Sequence, residues 1–225
     1  MQLSKRQLAH LLQQQFNAPT LDQYIKLFSP AVWFRNGIGT AAGQWDDISG
    51  NGRHLQLFNS PTLNADGSYT FNGTNQYGTT AAFTLNQPTT VFIVVTQISW
   101  TSGDVLFDGA GIAGGACQQT TASPRISISA GSSACEISTV AVGTKTVVCA
   151  VFNGASSRLV RNLDVATAGN AGTNNMGGFT LAAIGGGVAA WSNIQVHEIV
   201  ILPIAPLTVQ RERISYGLMA RHGLA

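Results

Sequence analysis

Two periodicities divide the chain. Between residues 3 and 28 apolar positions recur at helical spacing: Leu8, Leu11, Leu12 and Phe16 follow a Ser4-x-x-Gln7 capping box. Pro19-Thr20 and Gln23 predict a second short helix with Leu21, Tyr24, Ile25 and Phe28 on its apolar side, closed by Ser29-Pro30. From residue 31 onward the period is two. Ala31-Val32-Trp33-Phe34 predicts a first strand, and Ser68 to Gly73, Arg125 to Ser129 and Ala134 to Ser138 alternate as half-buried strands do. Val91 to Ile98 is a continuous β-branched run, read as a central strand covered on both faces. Asp104 to Gly109 is read as its hairpin partner across Ser102-Gly103, and residues 110–123 as a loop. Lys145 to Phe152, Arg158 to Val160, Phe179 to Gly185 and Asn193 to Leu202 add strands, with a long polar loop over 166–178. Thr208 caps a terminal helix of about 14 residues, with Leu207, Ile214 and Leu218 on one side and Gly223 as its stop. Many short strands without βαβ alternation predict an all-β, antiparallel two-sheet sandwich. A helical arm over residues 1–30 precedes that body, which runs over 31–225.

One stretch breaks the alternation. Trp45-Asp46-Asp47-Ile48-Ser49-Gly50-Asn51-Gly52-Arg53-His54 combines an aromatic anchor, two carboxylates and an Asn-Gly turn. We read Trp45, Asp47, Ser49, Asn51 and Gly52 as a fold-setting turn. Trp45 is then buried, and Asp47 bonds to the Ser49-Gly50-Asn51 backbone.

Composition narrows the partners. Charged residues make up 10% of the chain against the roughly 25% usual for soluble proteins, and the formal charge is +2. Clustered Lys and Arg are missing, which disfavours nucleic acid. Arg211, Arg213, Arg221 and His222 are read as a solvated helix face. No apolar run reaches the 18 or so residues that a membrane-spanning helix needs, so no membrane partner is expected. Met1 to Arg6 lacks the apolar region of a secretory leader, so synthesis in a host cytoplasm without export is expected. Cys117, Cys135 and Cys149 form no CxxC pair. Cys149 is read as a core residue, and Cys117 with Cys135 as the one candidate disulfide.

Trp45-x-Asp47-x-Ser49-Gly50-Asn51-Gly52, Pro61-x-Leu63, Phe71-Asn72-Gly73-x-x-x-Tyr77 and the run His197-Glu198-Ile199-Val200-Ile201 before a terminal helix resemble the concanavalin A-like, or LamG-like, jelly-roll superfamily. The resemblance spans about residues 31–222 and implies a jelly-roll sandwich. It leaves function open among lectins, glycosidases, adhesion modules and virion proteins. Retaining glycosidases on this fold need two carboxyls about 5–5.5 Å apart. Here the corresponding strand holds only Glu198, read with His197 as a strand-edge pair, so no enzyme is expected and no catalytic residue is assigned. His10, His54, His197 and His222 are scattered, and no GxSxG elbow accompanies them. Family members bind calcium at loop carboxylates, which makes Asp104 and Asp108, with Asp46 and Asp47 behind them, the candidate calcium oxygens. No other cofactor is implied. Of the four tryptophans, Trp33 and Trp45 read as core, and Trp100 and Trp191 as the candidate glycan contacts. The leading expectation is a bacteriophage structural protein, such as a capsid decoration or a tail or fibre component located in the virion. It would bind other virion proteins and copies of itself through Leu8, Leu11, Leu12, Phe16, Tyr24 and Phe28. The alternative is a lectin-like module that recognises host glycans.

Overall fold

The computed structural model describes residues 19–224, apart from the side chains of Ser133 and Ala134. The first predicted helix, with Leu8, Leu11, Leu12 and Phe16, lies outside the described residues. Helix α1 (Leu21–Lys26) starts where the pattern placed it: Gln23 N donates to Thr20 Oγ1 at 3.3 Å and Thr20 N to Gln23 Oε1 at 2.9 Å, a reciprocal capping box. Then follow β1 (Val32–Arg35), β2 (Thr40–Ala41), β3 (Gln44–Trp45), β4 (Leu55–Phe58), β5 (Thr62–Leu63), β6 (Tyr69–Asn72), β7 (Tyr77–Thr79), β8 (Thr89–Gln97) and β9 (Val105–Asp108). The rest are β10 (Ala116–Gln119), β11 (Ile126–Ser129), β12 (Ser133–Ile137), β13 (Lys145–Phe152), β14 (Ser157–Arg161), β15 (Thr167–Gly169), β16 (Thr180–Leu181) and β17 (Asn193–Leu202). Helix α2 (Thr208–Arg221) closes the chain.

All strand pairs are antiparallel and form two sheets. One runs β15-β14-β13-β8-β17-β6-β5, with β1 also paired to β17; the other runs β12-β11-β10-β9-β16-β7-β4-β3-β2. Apolar side chains from both sheets meet between them, including Trp45, Phe71, Ile93, Phe107, Phe152 and Phe179. The eight-stranded sheet has a second apolar face. Trp33, Phe92, Val94, Cys149 and Val200 pack outward against Ile25 of α1 and Ile214, Leu218 and Met219 of α2. This double coverage explains why β8 reads as an unbroken apolar run.

Several expectations needed correction. Strand β9 pairs with β10 and β16 in the nine-stranded sheet, while β8 pairs with β13 and β17, so Ser102-Gly103 lies on a crossover between sheets. The predicted loop over 110–123 contains β10, and the one over 166–178 contains β15. Tyr24 and Phe28, expected to face a neighbouring subunit, pack edge to face at 5.3 Å on the apolar cap of their own sheet, with the Arg213 guanidinium 3.9 Å from the Tyr24 ring centre. All three cysteines are free and buried. The turn matches its prediction in part: of the Ser49-Gly50-Asn51 backbone, Asp47 accepts only from Ser49 N, and Asn51 N donates to Ser49 Oγ instead. Trp45 is fully buried, and Asp47 accepts from Ser49 N (2.9 Å), Ser49 Oγ (2.8 Å), Arg53 N (3.0 Å) and Trp33 N (2.9 Å). Asn51 fastens the turn to the residues just before β1 by donating to the Pro30 and Ala31 carbonyls.

His197 and Glu198 are not a strand-edge pair. They sit on a bulge inside β17, between β8 and β1, and both are buried. Glu198 accepts from Trp33 Nε1 at 2.8 Å and from Arg221 Nη1 at 2.6 Å, and lies 2.8 Å from His222 Nε2. Arg221 and Arg35 also bond Asp22 at the start of α1. Arg221 and His222 therefore anchor the end of α2 rather than decorate a solvated face. The His197 imidazole makes no hydrogen bond: Asp66 Oδ2 stands 3.4 Å from Nδ1, out of bonding alignment, and the His222 ring lies 5.8 Å away.

Burial lowers the His197 pKa from 6.5 to about 4, with Lys145 and His222 adding to the shift and Asp66 opposing it. The unfolded chain takes up this proton near pH 6.5 and the folded chain only near pH 4. Stability therefore falls as pH drops through that window, by up to about 3 kcal/mol, and this group changes nothing further below it. We expect the melting temperature to decline between about pH 7 and pH 4. A His197→Leu variant should show a visibly shallower decline. An unchanged pH slope in the variant would assign the effect to another group.

Candidate functional site

The outward face of the nine-stranded sheet follows from strand alternation. Leu55, Leu57 and Gly78 point into the core, so Gln56 and Phe58 on β4, and Tyr77 and Thr79 on β7, point away from it, with His54 just before β4. Register then sets a polar row across five strands: Gln44, Gln56, Thr79, Thr180 and Asp108. Its first members are linked in series. Gln56 Nε2 donates to Gln44 Oε1 (2.7 Å), Gln44 Nε2 to Asp46 Oδ1 (2.6 Å), and Asp46 Oδ1 lies 3.1 Å from His54 Nδ1.

Beside this row stands an aromatic pair. Phe58 and Tyr77 stack with ring centres 4.7 Å apart and planes within 9°, and Phe58 is 40% exposed. Tyr77 lies over Gly187, where φ is +78° and any Cβ would overlap the ring, so only glycine fits. Trp191 Nε1 donates to the Gly187 carbonyl at 3.3 Å, placing the indole at the same loop. Val188 (62% exposed) follows in that loop, and Ile112 (64% exposed) neighbours it because Gly185 packs on the Gly111–Ile112 backbone.

Asp108 holds these loops together. Oδ1 accepts from Gly109 N (2.7 Å) and Gly115 N (3.1 Å), and Oδ2 from Ala113 N (2.9 Å) and Gly185 N (3.1 Å). Thr180 adds a bond to the Gly109 carbonyl and one from Gly186 N. Burial pushes the Asp108 pKa up against the pull of these donors. With four N–H groups aimed at it, the side chain acts as an acceptor only. Its lone pairs are taken, so Asp108 positions loops instead of offering oxygens to calcium. Asp104, four residues earlier, is only half-buried, and no cluster of three His, Cys, Asp or Glu side chains suited to a metal occurs among the described residues.

The two tryptophans expected to contact glycan therefore separate. Trp191 joins the Phe58–Tyr77 surface. Trp100 packs against the inter-sheet core, and its Nε1 donates to the Thr120 carbonyl at 3.2 Å. Phe58 and Tyr77 were missed by sequence reasoning. The available signal was an aromatic residue on the polar side of an alternating strand, Phe58 after His54 and Gln56. A cavity of about 210 Å³ opens elsewhere, between β13, β14 and the start of α2. Much of its polar rim is already paired: Asp164 with Arg161, and Arg211 with the Pro206 carbonyl and Thr208 Oγ1.

No protein-family model matches the chain, and no curated protein matches it in sequence. Solved structures do match in shape. Trypanosoma rangeli sialidase in complex with sialic acid superposes with a TM-score of 0.63 at 12% identity, over 84% of this chain and 33% of that one. A binding domain of botulinum neurotoxin serotype D/C VPI 5993 gives 0.66 at 11% identity, over 86% and 53%. A structure described as a receptor binding domain gives 0.65 at 11% identity, over 87% and 53%. The fold is a jelly-roll β-sandwich. At these identities the likeness is one of fold, and the sandwich spans between 33% and 53% of the length of those chains.

Replacing Asp108 by Asn would turn donors toward donors at the centre of the loop anchor. We expect the change to cost about 2–3 kcal/mol in chemical denaturation. Hydrogen exchange should quicken at Ala113, Gly115 and Gly185. Unchanged exchange at those amides would show that the loops hold without the carboxylate.

Proposed function

We propose that this sandwich is a non-enzymatic recognition module that binds glycan on the outer face of its nine-stranded sheet. The observation that carries the reading is the Phe58–Tyr77 stack, with Phe58 exposed over a half-buried Tyr77, seated on Gly187 beside Trp191 and flanked by the Gln56–Gln44 amides. A flat aromatic surface suits the C–H face of a sugar ring, and amides suit its hydroxyls because both donate and accept. The fold neighbours, a sialidase in complex with sialic acid and receptor or toxin binding domains, support recognition more than assembly. The buried carboxylates support a non-enzymatic role, since Glu198 and Asp108 are each bonded to several groups of their own chain.

The second reading, a structural protein of a bacteriophage particle, rests on the low charge and the N-terminal segment. The described part of that segment is used within the chain, where Tyr24 and Phe28 cap the sheet. The readings are compatible, since a particle component that recognises host glycans satisfies both.

In glycan-array screening followed by calorimetric titration, we expect Phe58→Ala and Tyr77→Ala each to weaken binding by at least about tenfold, the first by removing the stacking surface and the second by removing the ring that holds it in place. Trp100→Ala should leave affinity unchanged, and so should a chelator, because rings and amides make the contacts. Full affinity in both ring variants would refute the assignment of this face.

A further inference from the structure

The Phe58–Tyr77 surface has a charge character that limits its ligand. The strands and loops that build it, residues 40–46, 54–58, 77–79, 104–115 and 180–192, contain neither Lys nor Arg. Their carboxylates are Asp46, Asp104 and Asp108. Asp108 is consumed by backbone donors, and Asp46, 44% exposed, accepts from Gln44 and stays close to the His54 imidazole. His54 is the one imidazole in these segments, and its Nδ1 faces Asp46, so it presents no isolated cation. The cations nearest in sequence point elsewhere. Arg53 donates to the Ala31 carbonyl with its guanidinium 4.0 Å from the Phe83 ring centre, and Arg35 pairs with Asp22. On the far strands of the same sheet Arg125 is paired with Glu136.

An anionic sugar that leaves water needs a cation or a cluster of aimed N–H donors in return. Charge-assisted bonds from Arg or Lys are the usual means. This face has no such cation among the described residues, and its aimed backbone N–H groups already serve Asp108. What it offers is neutral: the outer ring face of Phe58, the exposed edge of Tyr77 behind it, the indole edge of Trp191, the free amide positions of Gln56 and Gln44, and the Thr79 hydroxyl. These groups run from His54, just before β4, to Phe58, about 13 Å, which gives room for more than one sugar ring.

We propose that the ligand is a neutral oligosaccharide and that acidic glycans, sialylated or sulfated, are not preferred. This rests on the glycan-recognition reading above and adds the chemical class of the glycan. It also separates this surface from any inference drawn from the sialic acid in complex with a fold neighbour.

The test is an array of immobilised glycans in which each neutral oligosaccharide is matched by its sialylated and sulfated derivatives. The full chain is probed on it, and the hits are titrated at low and high salt. We expect the neutral members to bind, their acidic derivatives to bind no better, and the dissociation constant to change less than about twofold with salt. Phe58→Ala should remove the neutral hits. Acidic members binding at least about tenfold tighter, with affinity falling as salt rises, would overturn this inference while leaving the recognition reading in place. Silence from every glycan would overturn the recognition reading, and this inference with it.

Discussion

A carboxylate taken out of water must be surrounded by donors, and this constraint organises much of the molecule. The chain carries few charges, yet Asp47, Asp108 and Glu198 are all buried. Each draws in distant segments. Asp47 joins the turn after β3 to the backbone of β1. Glu198 joins the central strand β17 to β1 through Trp33 and to the end of α2 through Arg221 and His222. Asp108 joins the loop after β9 to the loop after β16. Removing Arg221 from Glu198 costs about 3–5 kcal/mol, because the remaining charge is left buried and uncompensated. Each carboxylate thereby fixes where a surface element sits.

Two of the three carboxylates act on opposite faces of the sandwich, and the faces differ. Glu198 draws α1 and α2 onto the eight-stranded sheet, where they cover Trp33, Phe92, Val94 and Val200. That sheet is apolar on both sides, and its outer side is closed by the chain itself. Asp108 draws together two glycine-rich loops at the nine-stranded sheet, which place Val188, Ile112 and Gly187 beside Tyr77. There the outward row is amide, hydroxyl and aromatic, and Gln56 and Phe58 stay exposed. The first face is covered by the chain's own helices, and the second stays open.

Local features were legible in the sequence, and long-range ones were not. The Thr20–Gln23 box, the Asp47–Asn51 turn and the extent of α2 depend on residues within about one turn of each other, so their chemistry is written in consecutive positions. Strand alternation shows which residues share a face, but not which of two sheets a strand joins, so β9 was assigned to β8. Strand β10 went unread because Ala116 to Gln119 lacks β-branched residues, and neighbouring strands on both sides hold it in the sheet. His197-Glu198 looked like an edge pair because its partners, Trp33, Arg221 and His222, lie far away or beyond a proline-rich turn. The site was half legible. Trp191 stood out as a large aromatic among small residues, whereas Phe58 and Tyr77 looked like ordinary strand aromatics until the register set them side by side.

The contrast between Trp100 and the Phe58–Tyr77 pair shows what makes an aromatic residue available for recognition. Trp100 sits in a loop between polar residues, yet its ring reaches back to the core and its N–H is spent on Thr120. Loop position does not expose it. Phe58 and Tyr77 lie within regular strands, where alternation forces their rings outward and the flanking Leu57 and Gly78 hold the backbone against the core. A ring held this way loses little further side-chain entropy when a ligand stacks on it, so more of the contact energy is left for affinity. The stack orders the two rings against each other, and Gly187 lets Tyr77 lie flat. The aromatic pair is therefore preorganised by the same register that builds the sandwich.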